Sequence, residues 1–424
     1  MPAPSLADRL QVPPPVREMV RACAEAGGRA LLVGGCVRDA LRGEPTVDID
    51  IEVHGLAPDA LRTLLRRFGR VDEVGRSFGV FKVRVGRDPV DVSVPRRDRK
   101  VGAGHRGILA EADPHLGPVE AARRRDLTVN AIAWDPLTDE LIDPFDGRGD
   151  LDRGLLRAVD EDTFAEDPLR ALRVVQFAGR FQARVDPALV ALCRRMPLGE
   201  LPGERVRGEV EKWLLRSPRP SVGWQVALDG DIWARVLPAW DKPCPPSLDR
   251  LAAAAIEHPP RRLALLLACT APPAPLADVL DRLGMHSWLG YDVRGQALAL
   301  ATAQQAPTVV APAEGGSPRH GWMAPLPPAP EAPTATRARH LAERVEVELF
   351  AALTDDAVLG AAAADLGIGR TPLLPLVTGR DLLALGMPPG RAVGQLLTAI
   401  RRAQLDGHLS SPDAALAWAR AAIR

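Results

Sequence analysis

Leu31 to Val53 reads LLVGGCVRDALRGEPTVDIDIEV, and the rest of the chain is organised around it. A short apolar run, Ala30 to Val33, ends at the pair Gly34-Gly35. A helix-compatible stretch follows, then a turn around Gly43-Glu44-Pro45, then a second run that carries Asp48 and Asp50. Asp48-Ile49-Asp50 alternates as a β-strand does, which projects both carboxylates from one face and Ile49 and Ile51 from the other. Like charges side by side on one face repel, and a divalent cation between them removes that cost. Two solvated aspartates on an edge strand would show the same pattern. The glycine pair separates the two readings. It lets the backbone come close to a ligand and leaves N–H groups free at a helix start, with Arg38 one turn inside. Turn, arginine and paired aspartates between Gly34 and Asp50 describe a site for a triphosphate and its magnesium.

The segment GGCVRDALRGEPTVDIDI, Gly34 to Ile51, resembles the signature of the class II nucleotidyltransferases that build the CCA end of tRNA, together with their bacterial poly(A) polymerase relatives. The resemblance implies an α+β fold: an N-terminal mixed-sheet nucleotidyltransferase head, polymerase beta-like, then an all-helical neck, body and tail. The expected boundaries are 1–144 for the catalytic head, 145–240 for the neck and 241–424 for the tRNA-binding body and tail.

Within the head, Val16 to Ala26 and Pro58 to Phe68 have helical periodicity, and Val71 to Val85 reads as two strands about a turn at Gly75 to Gly79. Val90 to Val94 alternates again and sets Asp91 opposite its apolar neighbours. A third carboxylate on a neighbouring strand is what a two-metal centre needs. The family resemblance gives Asp91 that role, although many relatives carry glutamate there. Arg96 to Gly107, RRDRKVGAGHRG, is basic, glycine-bearing and without apolar periodicity, so it reads as a loop. It resembles the flexible loop that CCA-adding enzymes need to admit ATP after the two cytidines. Ala121 to Trp134, AARRRDLTVNAIAW, matches the family motif RRDxTxNA. The resemblance implies that Arg125 grips phosphate or sugar oxygens, for which a planar guanidinium is suited.

Asp143 to Arg157, DPFDGRGDLDRGLLR, resembles the third family motif, and its glycines point to a hinge. EDPLRALR, Glu166 to Arg173, matches the family motif EDxxR in full. Asp167 and Arg170, spaced i,i+3, share a helix face. Cytosine and adenine both present an amino donor beside a ring-nitrogen acceptor, which a carboxylate and a guanidinium complement. Guanine and uracil present the opposite order and are rejected. Arg173, one turn on, would support the nucleotide, while Gln176 stands where relatives usually place another arginine. Pro202 to Leu215 resembles the fifth motif, with Glu204 and Arg205 bracing the neck. The resemblance is continuous from about Leu31 to Leu215.

Ser247 to Leu300 reads as helices, Ala306 to Thr336 as an irregular Pro/Ala-rich insert, and helices resume from Arg337. Thr378 to Leu383 and Gly386 to Arg391 resemble the tail that holds the tRNA elbow, and the Arg401-Arg402 helix offers cations for phosphates. The sequence has no His-Asp dipeptide, so the phosphohydrolase domain attached to some relatives is not expected here.

Composition adds bounds. The chain has 424 residues, room for two to four domains. Lys+Arg and Asp+Glu balance at 54 each, so net charge says nothing about a polyanionic partner. The only lysines are Lys82, Lys100, Lys212 and Lys242, and arginine supplies the remaining positive charge. Five cysteines without CxxC spacing read as reduced thiols of a cytoplasmic protein. No signal peptide or membrane span is expected, and Leu263 to Cys269 is far too short to cross a bilayer.

The expected activity is addition of C, C and A to tRNA 3′ ends from CTP and ATP, with release of pyrophosphate. Asp48, Asp50 and Asp91 would hold Mg²⁺; Gly34, Gly35 and Arg38 the phosphates; Arg125, Asp167, Arg170 and Arg173 the sugar and base. No protein partner is called for. The same motifs serve poly(A) polymerases and the separate CC-adding and A-adding enzymes, and an inactive RNA-binding protein on this scaffold would be expected to lose a carboxylate.

Overall fold

The structure, a computed structural model, describes residues 6–46, 48–73, 79–85, 88–100, 108–305 and 333–423. They fall into two compact units, Met1–Cys244 and Pro245–Arg424, with head and neck together in the first.

The head is a seven-stranded mixed sheet. Its strands are β1 (Arg29–Val33), β2 (Asp50–His54), β3 (Arg70–Glu73), β4 (Val80–Val85), β5 (Asp88–Ser93), β8 (Ala133–Asp135) and β9 (Glu140–Ile142), after a separate hairpin of β6 (Arg96–Lys100) and β7 (Ile108–Ala112). The order across the sheet is β3-β4-β5-β2-β1-β8-β9. The β2–β5 pair is parallel and the other neighbours are antiparallel. Both faces of β1 are apolar and buried: Ala30 and Leu32 join the main core with Val37, Ile51, Leu61, Phe81 and Val92, while Leu31 and Val33 pack with Ala133 on the other face. That is why a nearly continuous apolar run precedes Gly34.

The hairpin corrects the loop reading of Arg96 to Gly107. Arg96 to Lys100 pairs antiparallel with Ile108 to Ala112, and residues 101–107 lie outside the described residues. The strand escaped notice because its apolar neighbours lie on the partner strand. The turn expected at Gly75 to Gly79 also falls mostly outside, at 74–78.

In the neck, helix Leu169–Phe181 packs against helices Gly203–Arg216 and Pro220–Asp229. Four fully buried tryptophans, Trp213, Trp224, Trp233 and Trp240, meet beneath them with ring centroids from 5.1 to 6.0 Å apart. The glycine-rich third motif is a staple in this structure. Gly147 packs so closely on the Thr128 carbonyl that a Cβ would lie 2.2 Å from its oxygen. Buried Asp150 accepts from Thr128 Oγ1 at 2.6 Å and pairs with Arg153 and Arg157 at 2.8 Å. The neck is not purely helical, since two-residue strands Leu155–Leu156 and Arg184–Val185 pair in parallel.

Among its described residues, the regular structure of the second unit is helical apart from the two-residue pair Ser287–Trp288 and Tyr291–Asp292. Its first helices after residues 306–332 begin at Pro333, four residues before the expected Arg337. Thr378 and Asp381 form a capping box on helix Gly379–Ala384. Arg401 is a brace, bonded to Glu343, to Gln404 at 2.7 Å and to the Leu373 carbonyl at 2.6 Å. Among the described residues no helix is long and apolar enough to cross a membrane.

Candidate nucleotidyl-transfer site

β2 explains the site. Its odd-numbered side chains, Ile51 and Val53, enter the apolar core, and its even-numbered ones, Asp50, Glu52 and His54, line the opposite face. Asp50 stands opposite Asp91 in the parallel β2–β5 register, and the Asp91 N–H bonds to the Ile49 carbonyl at 3.2 Å, which pins the ribbon just before the strand. Asp48 precedes the strand and is exposed. Burial pushes the Asp50 carboxyl up from its usual range; Arg125 and Lys82 pull it back, and the charges of Asp91 and Asp48 push it further up. Lys82 reaches Asp91 at 3.6 Å.

Among the described residues no three His, Cys, Asp or Glu side chains are drawn together in a coordinating group. Asp48, Asp50 and Asp91 share one electrostatic neighbourhood. Three hard oxygen donors with excess negative charge suit a divalent cation.

Gly34 joins β1 to the turn helix (Gly35–Leu41) with φ 72°, a conformation natural to glycine. A Cβ there would lie 2.6 Å from Arg125 Nη1. Glycine therefore leaves the space that the Arg125 guanidinium fills. Gly35 opens the helix, whose first-turn N–H groups precede the first intrahelical acceptor.

Arg38 departs from a free phosphate ligand. It is 4% exposed, and its guanidinium bonds to Asn130 Oδ1 and, at 2.8 Å, to Asp39. It also faces the rings of Phe177 and Phe181 at 5.1 and 4.9 Å. Its donors tie the turn helix to Asn130 within the head, and its charge faces the two neck rings.

Two buried carboxylates that sequence reasoning passed over organise the arginines. Glu52 accepts from Arg124 Nη2 at 3.0 Å, with His54 at 3.4 Å and Arg125 at 3.9 Å. Burial alone would raise its carboxyl; the nearby His54 ring and the charges of Arg125 and Arg124 hold it down at about 2. Asp126 accepts from Arg173 Nε at 2.6 Å and Asn130 Nδ2 at 2.9 Å. Burial would raise it too, and Arg173, Asn130 and Arg170 hold it at about 2. For Glu52 the signal was available: it continues the Asp48-Asp50 alternation. For Asp126 nothing local marks the partner, which lies 47 positions away.

Asp167 Oδ1 accepts the Leu169 N–H at 3.1 Å, and Oδ2 accepts from Arg205 at 2.9 Å. Arg170 donates to the Thr163 carbonyl at 2.6 Å and to the Arg124 carbonyl. Arg173, bound to Asp126, lies over Phe177 at 5.2 Å. Gln176 is buried on the same helix. Thus the RRD segment, Arg124 to Asp126, touches β2 on one side and helix Leu169–Phe181 on the other.

Residues 30–157 match the family described as Poly A polymerase head domain. Two curated relatives named Multifunctional CCA protein are similar: that of Aromatoleum aromaticum is 40% identical over 220 residues, covering 50% of this chain and 51% of the relative. That of Alkalilimnicola ehrlichii is 39% identical over 223 residues, again 50% and 51%. The chain therefore spans about half the length of the curated relatives it matches. Among solved structures, the Bacillus stearothermophilus CCA-adding enzyme in complex with CTP is 26% identical with TM-score 0.67, over 94% of this chain and 95% of that one. The Thermotoga maritima CCA-adding enzyme complexed with tRNA_CCA shares the fold at 21% identity and TM-score 0.66, over 99% of each chain.

Proposed function

We propose that the chain is a member of the family of CCA-adding tRNA nucleotidyltransferases and bacterial poly(A) polymerases, and that it adds C, C and A to tRNA 3′ ends from CTP and ATP, releasing pyrophosphate. The observation that carries the reading is Asp50 set opposite Asp91 beside a glycine turn roofed by Arg125. The similarity to multifunctional CCA proteins and to CCA-adding enzymes, one in complex with CTP and another with tRNA, supports it.

Asp48, Asp50 and Asp91 would hold Mg²⁺, which supplies activation of the 3′-hydroxyl and neutralisation of the triphosphate when bound. Gly34 and Gly35 let the backbone approach the phosphates. Arg125, held by Glu52 above Gly34, places its fork where phosphate or sugar oxygens pass. Arg38 acts behind this surface, fixing the turn helix against Asn130 and Phe177. Asp167 accepts from the amino group of C or A, and Arg170 donates to the neighbouring ring nitrogen; Arg173 supports the reading helix (Leu169–Phe181) through Asp126. The second unit would bind the body of the tRNA.

The test gives radiolabelled CTP, ATP or both to tRNA ending before, within and after CCA. Stepwise completion of CCA supports the proposal. Long tails from ATP alone would identify a poly(A) polymerase, and a stop after CC or a requirement for a CC end would identify the specialised enzymes.

A further inference from the structure

We propose that Arg205 is a positioning residue that holds Asp167 apart from Arg170, so that the pair offers two separate edges to an incoming base; this rests on the base-reading role given to that pair above. Aspartate and arginine three residues apart are within reach of each other along a helix face, and Arg170 lies close enough to feel the Asp167 charge. Left alone, the two would close into an ion pair, and each would spend on the other the groups meant for the base. The structure shows no such closure. The Asp167 carboxylate is fixed at both oxygens by other groups, the Leu169 N–H and Arg205 Nη2. Arg170 is fixed by two neutral carbonyls, those of Thr163 and Arg124.

The bookkeeping of donors and acceptors fits reading rather than bracing. Each carboxylate oxygen has two acceptor sites, so each anchored oxygen keeps one for an amino group. Arg170 has five N–H donors and keeps those beyond its two carbonyl bonds. Arg205 makes one bond from one arm of its fork, and its Nη1 is buried without a partner. A bidentate clamp would satisfy both arms and consume both carboxylate oxygens. The single bond fixes the rotation of the carboxylate and leaves Oδ1 to the helix N–H. Arg205 sits on helix Gly203–Arg216, so the carboxylate is held from a second element, and its plane follows the packing of the two helices.

The experiment uses the full chain with tRNA lacking its CCA end, and measures kcat/KM for CTP and UTP in Arg205→Ala and Arg205→Lys, each alone and combined with Arg170→Ala, alongside melting temperature. Loss of a hydrogen bond to a charged group supports a fall of about tenfold or more in the CTP/UTP ratio of Arg205→Ala. Lysine, which keeps the charge but not the fork, restores part of it. In the Arg170→Ala background the same substitution costs nothing further, because the partner that would capture Asp167 is gone. An unchanged ratio with a lowered melting temperature overturns the proposal and leaves Arg205 a brace. So does an equal extra loss in both backgrounds. Should the alanine variant fail to fold, Arg205→Lys decides: an intermediate ratio supports the proposal and a parental one overturns it. A parent chain that transfers no nucleotide overturns the functional reading and this proposal with it, whereas a selective parent with an equally selective Arg205→Ala overturns this proposal alone.

Discussion

Asp50 and Asp126 are both withdrawn from water in the same unit, yet their surroundings treat them oppositely. Around Asp50 the nearest charges include two more carboxylates, and its proton is held more tightly than usual. Around Asp126 stand Arg173, Asn130 and Arg170, and its carboxyl is held at about 2. Asp126 belongs to a closed circuit: Arg173 to Asp126, Asn130 to Asp126 and to Arg38, Arg38 to Asp39, and Asp39 to Arg180, which returns to the helix where Arg173 began. A satisfied network of this kind fixes geometry. An under-compensated cluster favours added positive charge, which is what the proposed metal would supply. On the proposed reading the chain separates the carboxylate that would hold the metal from the groups that hold the helices still, with the RRD segment between them.

The comparison breaks first at Asp50. Asp50→Asn should lower nucleotide addition by about a thousandfold or more, because on the proposed reading several kcal/mol of transition-state charge stabilisation depend on the metal that Asp50 would hold. Its thermal stability should equal or exceed that of the parent, since the substitution removes a repelling charge. A marked drop in melting temperature, or turnover near the parent's, would place Asp50 among the structural carboxylates.

Asp126→Ala should do the reverse and act on stability. Removing one partner of a buried pair costs about 3–5 kcal/mol, and the low end applies because a third of the Arg173 side chain is exposed. A urea titration measures it, and a loss below about 1 kcal/mol, the scale of a surface pair, would refute the circuit. Acid sharpens the same point. The native carboxyl sits near 2 against about 3.9 in the unfolded chain, so as pH falls the unfolded state takes up the proton first. The contribution, about 2–3 kcal/mol, is complete above pH ~5 and is lost progressively toward pH ~2. Asp126→Asn should therefore flatten the stability curve in that window, and an unchanged curve would assign the acid sensitivity elsewhere.

How far the sequence carries the argument depends on the range of each interaction. The strand positions of Asp50 and Asp91 were legible because alternation is local, whereas Asp48, expected on the same strand, precedes it; Gly34 was legible because a turn needs glycine at one position. The reading helix was legible from its period and its proline. Pairings such as Arg173 with Asp126, or Arg38 with Asn130 across 92 positions, leave no local trace. Two arginines sit differently from their reading as free cations for that reason: Arg38, expected to face phosphate, is buried in the circuit, and Arg401, expected to face tRNA, bonds to Glu343 and two neighbours. The strand Arg96–Lys100 was hidden because a hairpin at the margin of the head need not alternate between core and solvent.

The smallest expected effect tests the outermost link of the circuit. Phe181 is half-buried at the end of the reading helix, and three guanidinium carbons lie near its ring: Arg42 at 4.3 Å, Arg38 at 4.9 Å and Arg180 at 5.1 Å. If the ring only fills space, Phe181→Leu conserves most of the apolar contact and costs little. If its negative face holds the cations, the loss is about 0.5–1 kcal/mol for an exposed partner such as Arg42 and nearer 2 for desolvated Arg38. The three share one ring and do not add, so about 1–2 kcal/mol is expected in urea unfolding. Charge sets the second arm of the test. In an Arg38→Met background, which keeps a long side chain against the ring but removes the charge, Phe181→Leu should cost clearly less. Equal costs in both backgrounds would mean that the ring is packing alone, and that the turn helix is held to the neck by Asp39 and Asn130 without it.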